Sequence, residues 1–387
     1  MSSSANGGNT VPMRSVLTVA LINATVVRGG RILLVLYALA LGAQPLTVGL
    51  LAATSSAIPL LLVLPAGKLA DRFGVHWLLV IGCVGSGIGL FTAFAFPGLS
   101  TIFIATALIG MSFSIYNVSL QNLVGLLSTP DNRTRDFSNY SLVMSLSNFA
   151  GPLVAGFSID HVGHATACLY LALVSLVPLA MFATWGRKLP GGTPKKAQAK
   201  GGVRTMLATP GVYRTLTTSS LLHTGQDLFQ SYLPVYAHGI GLSASAIGIV
   251  LAMNSAAAFV VRIFLPRLVA RFKEEHVLAY AFAMGAIALM LIPLFHGAAA
   301  LAVIAFVFGI GMGCGQPIVT MQMFSNSAEG RSGEALGLRM TVNHLTKIVG
   351  PVAFGAVGSA FGLFTVFWLN ALMLGTGSVM SRPRNRG

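Results

Sequence analysis

The sequence predicts an all-α integral membrane protein with twelve transmembrane helices, arranged as two pseudo-symmetric six-helix bundles. Three observations lead to this fold class. Only 9% of the 387 residues are charged and 55% are hydrophobic, whereas about a quarter of the residues in average soluble proteins are charged. Apolar runs of about 20 residues, long enough to cross a bilayer, recur along the whole chain. The second half of the sequence also repeats the first.

The apolar runs define the predicted spans. They lie at residues 16–40, 46–66, 77–96, 100–124, 138–159, 165–186, 215–238, 245–266, 277–295, 299–323, 337–358 and 362–380. The first run is too long for the hydrophobic region of a cleavable signal peptide. We therefore expect it to remain in the protein as the first span.

The internal repeat has an offset of 199 residues. Matching pairs include Gly49 with Gly248, Gly110 with Gly309, and Gly151-Pro152 with Gly350-Pro351. A basic stretch rich in Gly and Pro separates the two halves and predicts a flexible linker. The predicted domains are an N-terminal six-helix bundle at 1–186, a cytoplasmic linker at 187–212 and a C-terminal six-helix bundle at 213–387. Duplicated bundles are typical of secondary transporters, which bind substrate between the repeats.

The net charge of +15 indicates orientation in a membrane. None of the 24 Lys and Arg residues lies in the six connections predicted to face outside, at 41–45, 97–99, 160–164, 239–244, 296–298 and 359–361. By the positive-inside rule, both termini then lie in the cytoplasm of a bacterial-type inner (plasma) membrane. This asymmetry accounts for the basic composition, so we expect no nucleic-acid partner.

A short motif after the second predicted span carries a family resemblance. Residues 67–74 read GKLADRFG, and the conserved positions of the motif fall on Gly67, Leu69, Ala70, Asp71, Arg72 and Gly74. The motif resembles the signature loop of the major facilitator superfamily, although Val75-His76 replaces the basic pair that usually follows. The resemblance implies that Gly67, Asp71, Arg72 and Gly74 form an inner gate. The candidate partners of Asp71 are Arg133, Arg135, Arg331 and Arg339.

Two Gly-Pro pairs predict helix kinks, because proline removes a backbone hydrogen bond. Gly151-Pro152 lies in span 5 within a segment that resembles the exporter-associated pattern of this superfamily, and Gly350-Pro351 is its repeat in span 11. The resemblance favours export, whereas the repeat leaves a shared structural kink as an alternative. Exporters of the family often carry an Arg four residues before a Gly in span 4. Here Thr106 occupies that position before Gly110.

Charged residues near the middle of the spans predict the substrate site. Arg28 and Arg31 lie on one face of span 1, Asp227 lies in span 7, and Lys347 lies in span 11. A charge at the centre of a bilayer costs about 2.5–3.5 kcal/mol, so we expect these side chains to face the interior. Arg28 and Asp227 are repeat-related and are predicted to meet across the cavity. One carboxylate neutralises one of three cations, which predicts an anionic group on the substrate.

The alternative interpretation is structural, with an ion pair that locks the halves and the other cations bonded to carbonyl groups. Asp227 is the only carboxylate inside a predicted span, and it is the candidate proton-coupling group, with His223 as a relay one helical turn away. Five further polar side chains are candidates for substrate binding: Asn117, Gln121, Gln226, Gln230 and Gln316.

The leading functional hypothesis is a proton-coupled secondary transporter that moves a small organic anion or amphiphile by alternating access. Export is favoured, and proton-symport uptake of an organic acid is the alternative.

An enzyme is not expected, because the sequence has neither a nucleophile motif nor a nucleotide-binding loop. We expect no cofactor and no metal, since the three cysteines lie in apolar spans at no metal spacing. The expected partners are a small-molecule substrate, protons and the lipid bilayer, and the expected state is a monomer.

Overall fold

The computed structural model describes residues 11–129, 132–185, 210–326 and 332–382. Within these ranges it describes the backbone but not the side chains of residues 58–59, 61–74, 133–134, 210, 324 and 332–337. The linker predicted at 187–212 falls almost entirely outside these residues.

Ten α-helices make up nearly all of the described chain, and no strand occurs in it. They are α1 (Met13–Ala40), α2 (Pro45–Ala95), α3 (Leu99–Leu127), α4 (Arg133–Val162), α5 (His164–Trp185), α6 (Pro210–Gly239), α7 (Ala244–Leu291), α8 (Ala298–Asn326), α9 (Ser332–Phe361) and α10 (Leu363–Ser381).

Two of these helices each contain two predicted spans. Helix α2 has 51 residues and at 1.5 Å per residue is about 77 Å long, well over twice the roughly 30 Å hydrocarbon core of a bilayer. Helix α7 has 48 residues and leaves helical geometry at Lys273 (φ 61°, ψ 152°), between the predicted spans 8 and 9. The helix range of α2 also runs through 67–74, which the sequence analysis predicted as a loop. The side chains of Gly67, Asp71, Arg72 and Gly74 lie outside the described part, so the inner gate stays a prediction.

Eight helical segments of the described chain are long and apolar enough to cross a membrane. Helices α6 and α9 are not among the eight, although each spans 30 residues. These two helices carry Asp227 and Lys347. A helix that lines a polar cavity is less apolar than one that faces lipid on most sides, because its inner face must match a polar surface. The count of twelve spans remains a prediction.

Helices from the two halves of the sequence meet along two seams, α2 with α9 and α4 with α7. The 199-residue offset relates one seam to the other. A Cβ atom added to Gly49 in α2 would lie 2.3 Å from the carbonyl oxygen of Pro351, and one added to Gly248 in α7 would lie 2.4 Å from that of Pro152. Both distances are shorter than any normal contact, so both seams require glycine. The repeat in the sequence is therefore matched by a repeated contact between its halves.

The four residues of the predicted kinks lie in α4 and α9, the two helices that contribute a proline carbonyl to these seams. Pro152 and Pro351 fall inside the helix ranges of α4 and α9. Gly151 faces α1, where an added Cβ atom would lie 2.9 Å from the Cβ atom of Arg28. Gly350 faces α6, with Thr224 Cγ2 at 3.1 Å from an added Cβ. The kinks themselves stay predictions, but Gly151 brings α4 close to the part of α1 that carries the central arginines.

We predict that Gly49→Ala and Gly248→Ala each lower the free energy of unfolding by about 1–3 kcal/mol, the usual cost of overpacking. The added methyl group would overlap a proline carbonyl oxygen across the seam. Thermal unfolding of the purified protein measures this. The matched control is Gly375→Ala in α10, where an added Cβ atom has no neighbour within 4 Å. Equal melting temperatures for all three variants would contradict the close approach of the two halves.

Candidate substrate site

A central cavity lies between helices of both halves. It has a volume of about 160 Å³ and is lined by residues of α1, α2, α3, α4, α6, α7 and α9. Four charged side chains face it: Arg28 and Arg31 from α1, Asp227 from α6 and Lys347 from α9. The sequence analysis predicted these four charges to be central, and the structure places them around one cavity.

The two arginines share an aromatic ring as their common contact. The guanidinium carbon atoms of Arg28 and Arg31 lie 5.6 Å and 5.1 Å from the centre of the Phe113 ring in α3, within the range of a cation–π interaction. The Nε atoms of both arginines are buried and have no hydrogen-bond partner. Among the described residues, no carboxylate oxygen lies within 4.0 Å of either guanidinium group. Two cations therefore stand side by side without a carboxylate at ion-pair distance.

Asp227 forms its ion pair with Lys347. The distance from Lys347 Nζ to Asp227 Oδ1 is 3.8 Å, and the second carboxylate oxygen, Oδ2, is buried without a hydrogen-bond partner. The predicted meeting of Arg28 with Asp227 is therefore not found in this conformation. The reason is packing: α6 packs more extensively on α9, in its own half of the sequence, than on α1 across the cavity. The result is one neutralised cation and two unpaired ones, the balance expected from the sequence.

The hydrogen-bond partner of His223 is Gln316, whereas a proton relay would connect His223 to Asp227. The His223 ring lies against Gln316 of α8, with Gln316 Nε2 at 2.8 Å from the Nε2 atom of His223. One turn earlier on α6, the hydroxyl of Ser219 donates to Asn343 Oδ1 of α9 at 3.2 Å. These contacts continue the polar face of α6 that carries Asp227. The relay role of His223 stays a prediction.

The remaining predicted binding residues divide into two groups. Gln230 lines the cavity. The side chains of Gln226, Asn117, Gln121 and Gln316 are not part of its lining. Asn117 instead accepts hydrogen bonds from Gln121 and, at 2.9 Å, from the hydroxyl of Tyr140. An amide used in this way stabilises the contact of α3 with α4, and substrate binding by Asn117 and Gln121 stays a prediction.

Several residues in or beside the cavity were absent from the predicted site. Phe113 contacts both arginines but is not part of the cavity lining, and it lies in an apolar stretch of α3, where its sequence context is that of an ordinary core residue. Thr106 lines the cavity at the position where the exporter resemblance leads one to expect an Arg. Short polar side chains from both halves complete the wall: Ser55, Ser56, Asn148, Asn254 and Ser255. The repeat could have identified some of these residues from the sequence, because Ser55 and Ser56 correspond to Asn254 and Ser255 at the 199-residue offset and all four are polar.

A central cavity with charged side chains, formed by helices from both repeats of the sequence, is typical of secondary transporters, and comparison with known proteins identifies the family. The chain matches the sequence model of the Major Facilitator Superfamily over residues 16–351. The chain belongs to this superfamily. The family resemblance of residues 67–74, and the transporter class that it implies, are thereby confirmed. The superfamily consists of membrane transporters and is not a class of enzymes.

Two bacterial relatives show which members of the superfamily this chain is similar to. The quinolone resistance protein NorA of Staphylococcus aureus (strain MRSA252) is 22% identical over 325 residues, which cover 82% of each chain. Multidrug resistance protein 1 of Bacillus subtilis (strain 168) is 22% identical over 305 residues, which cover 77% of each. Both names describe resistance proteins, and what they transport is a property of those proteins.

Solved structures of the superfamily share the fold. The nucleoside transporter NupG has a TM-score of 0.76 at 14% identity, covering 97% of this chain and 100% of its own. A bacterial homologue of the human lysosomal transporter Spinster, in an inward-facing and occupied conformation, has a TM-score of 0.79 at 12% identity, covering 96% of this chain and 97% of its own. At such low identity, these structures show the superfamily fold and nothing about the substrate.

Proposed function

We propose that this superfamily member is a secondary active transporter of a small organic anion or anionic amphiphile, working by alternating access with protons as the coupling ion. The observation that carries the proposal is the pair of unpaired guanidinium groups of Arg28 and Arg31 in the central cavity. A buried charge without a partner is costly. A carboxylate, sulfonate or phosphate group that binds between the two guanidinium groups would remove that cost through charge-assisted hydrogen bonds.

Proton coupling is supported by the position of Asp227. Its carboxylate faces the same cavity, keeps one oxygen without a hydrogen-bond partner and has Lys347 as its ion-pair partner. A proton on Asp227 would release Lys347, so protonation changes the number of cations available to an anion. His223, whose ring is held by Gln316, is the proposed connection toward the cytoplasm.

Export is the favoured direction, and uptake of an organic acid by proton symport is the second candidate. Export is supported by the Gly151-Pro152 segment and by the resistance proteins among the relatives. Uptake is supported by Thr106, which replaces the Arg expected of exporters. For either direction, the proposed setting is the inner membrane, with both termini in the cytoplasm and a monomer of two six-helix bundles joined by the linker at 187–212.

A ligand-stabilisation screen of the purified protein tests the substrate class. Organic carboxylates, sulfonates and phosphates are compared with organic cations of similar size, and the melting temperature is recorded for each. Bound ligand raises the stability of the folded state in proportion to the logarithm of its concentration over Kd. We expect anions to stabilise the protein. Stabilisation by cations alone would contradict the proposal. The matched control is Arg271→Ala, which removes an exposed arginine that also contacts an aromatic ring, that of Phe272.

We predict that Phe113→Leu weakens binding of the stabilising anion by up to about five- to thirtyfold, because one ring supports two cation–π contacts worth about 0.5–1 kcal/mol each. Without the ring, Arg28 and Arg31 lose the surface that holds both guanidinium groups in place. Titration calorimetry measures the change in Kd. Phe113→Tyr keeps the ring and is expected to bind as the wild type does. Equal affinity of the Leu and wild-type proteins would show that Phe113 has no positioning role.

A further inference from the structure

At one end of the α4–α7 seam, the carboxylate of Asp160 holds the first turn of a helix from the other half of the sequence. Asp160 lies at the end of α4. Its Oδ1 atom accepts a hydrogen bond from the backbone N–H of Ala244 at 3.1 Å, and Oδ2 accepts one from the N–H of Ser245 at 2.8 Å. The hydroxyl of Ser245 donates a third hydrogen bond to Oδ2. Three hydrogen bonds to one carboxylate thus join the two halves.

The repeat places a weaker version of this contact on the second seam. At the 199-residue offset, Asp160 corresponds to Ser359 in α9, and Ser245 corresponds to Leu46 in α2. The hydroxyl of Ser359 accepts a hydrogen bond from the backbone N–H of Leu46 at 3.0 Å. Each seam therefore ends in the same way, with a side chain of one half capping a helix of the other. One cap is a carboxylate with three bonds, and the other is a hydroxyl with one.

The two caps differ in strength for a physical reason. The first N–H groups of a helix have no partner inside the helix and carry a partial positive charge. A carboxylate satisfies them with charge-assisted hydrogen bonds, which are roughly twice as strong as neutral ones. Asp160 is exposed, so water competes for its oxygens. Even so, when the halves separate, the first turn of α7 keeps only its own cap, the bond from Ala246 N–H to the Ser243 hydroxyl at 3.3 Å.

Both caps lie at the side of the protein predicted to face outside. The connections at 41–45, 160–164, 239–244 and 359–361, which all belong to the outer set, contain or adjoin the residues that form them. We propose that Asp160 and Ser359 form an unequal two-part latch that closes the outer side of the transporter. In this latch the hydrogen bonds to Asp160 determine how often the cavity opens to the outer side. The hydrogen bond to Ser359 is weaker and breaks first when the outer side opens. The proposal does not depend on the identity of the substrate or on proton coupling.

The test exchanges the two caps and measures access to the cavity from each side. In a variant with Cys83, Cys168 and Cys314 replaced by alanine, Ser231→Cys places one reporter thiol in the cavity wall. A membrane-impermeant maleimide is added to intact cells for the outer side and to inverted vesicles for the inner side. We expect Asp160→Ser, which makes both caps hydroxyls, to raise outer labelling about tenfold and to lower inner labelling. We expect Ser359→Asp, which makes both caps carboxylates, to do the reverse.

The opposite responses of the two sides distinguish a latch from a loosened fold. An increase in labelling from both sides after Asp160→Ser would mean that the residue only stabilises the protein, and it would overturn the proposal. Unchanged labelling from both sides in the Asp160→Ser and Ser359→Asp proteins would also overturn it. If Asp160→Ser does not fold, the Ser359→Asp protein alone decides, because it adds a contact and its expected effect has the opposite sign.

Discussion

Replacement of both Arg28 and Arg31 by alanine is expected to reduce transport of the stabilising anion about a hundredfold or more, since removing one partner of a buried, hydrogen-bonded charge pair costs about 2–5 kcal/mol. The two guanidinium groups face the cavity and have no carboxylate partner among the described residues, so the substrate is their proposed counterion. Transport into proteoliposomes and calorimetric Kd values measure the loss. Because the pair is proposed to bind one anionic group, the single variants are expected to be non-additive.

Two further variants separate charge from geometry. Arg28→Lys keeps the charge and removes the planar fork, so we expect an intermediate loss of affinity. Arg271→Ala removes an arginine away from the cavity and is expected to transport at the wild-type rate. The double alanine variant is also expected to unfold at a higher temperature than the wild type when no ligand is present, because two unpaired charges are removed from the interior. Normal transport by the double variant would exclude an arginine-bound anion.

Loss of the carboxylate at position 227 is expected to uncouple anion transport from the proton gradient. With Asp227→Asn, we predict that an imposed pH gradient no longer drives accumulation of the anion, and that exchange of anion across the membrane at equal pH continues. Asn has nearly the same shape as Asp and cannot release or take up a proton in this range. The measurement is accumulation in proteoliposomes with and without the gradient. Wild-type accumulation by this variant would exclude Asp227 from the coupling mechanism.

The ion pair with Lys347 requires its own control, because Asp227→Asn leaves a cation without a partner. The side chains of Asp227 and Lys347 are 21% and 35% exposed, so water moderates the cost of the unpaired lysine. The double variant Asp227→Asn, Lys347→Gln removes both charges and is expected to recover the melting temperature but not the response to the gradient. Recovery of that response in the double variant would assign coupling to another group.

Much of this protein can be predicted from the chain alone, because the relevant signals are local. Hydropathy predicts the spans, the absence of Lys and Arg from one set of connections predicts the orientation, and the offset of 199 residues shows the duplication. The cost of a charge in hydrocarbon then requires that Arg28, Arg31, Asp227 and Lys347 face the interior. The structure places all four at one cavity. None of these inferences requires knowledge of how one helix is rotated against another.

Tertiary structure alone decided which of these groups meet. Asp227 pairs with Lys347 rather than with Arg28, because α6 packs more extensively on α9 than on α1. Only the packing of α3 placed the Phe113 ring beside both arginines, and only the packing of α3 on α4 brought the Tyr140 hydroxyl to the Asn117 oxygen. The cap from Asp160 to α7 joins residues 84 and 85 positions apart. Such contacts depend on the rotation and close approach of whole helices, which small residues far apart in sequence determine together and no single segment encodes.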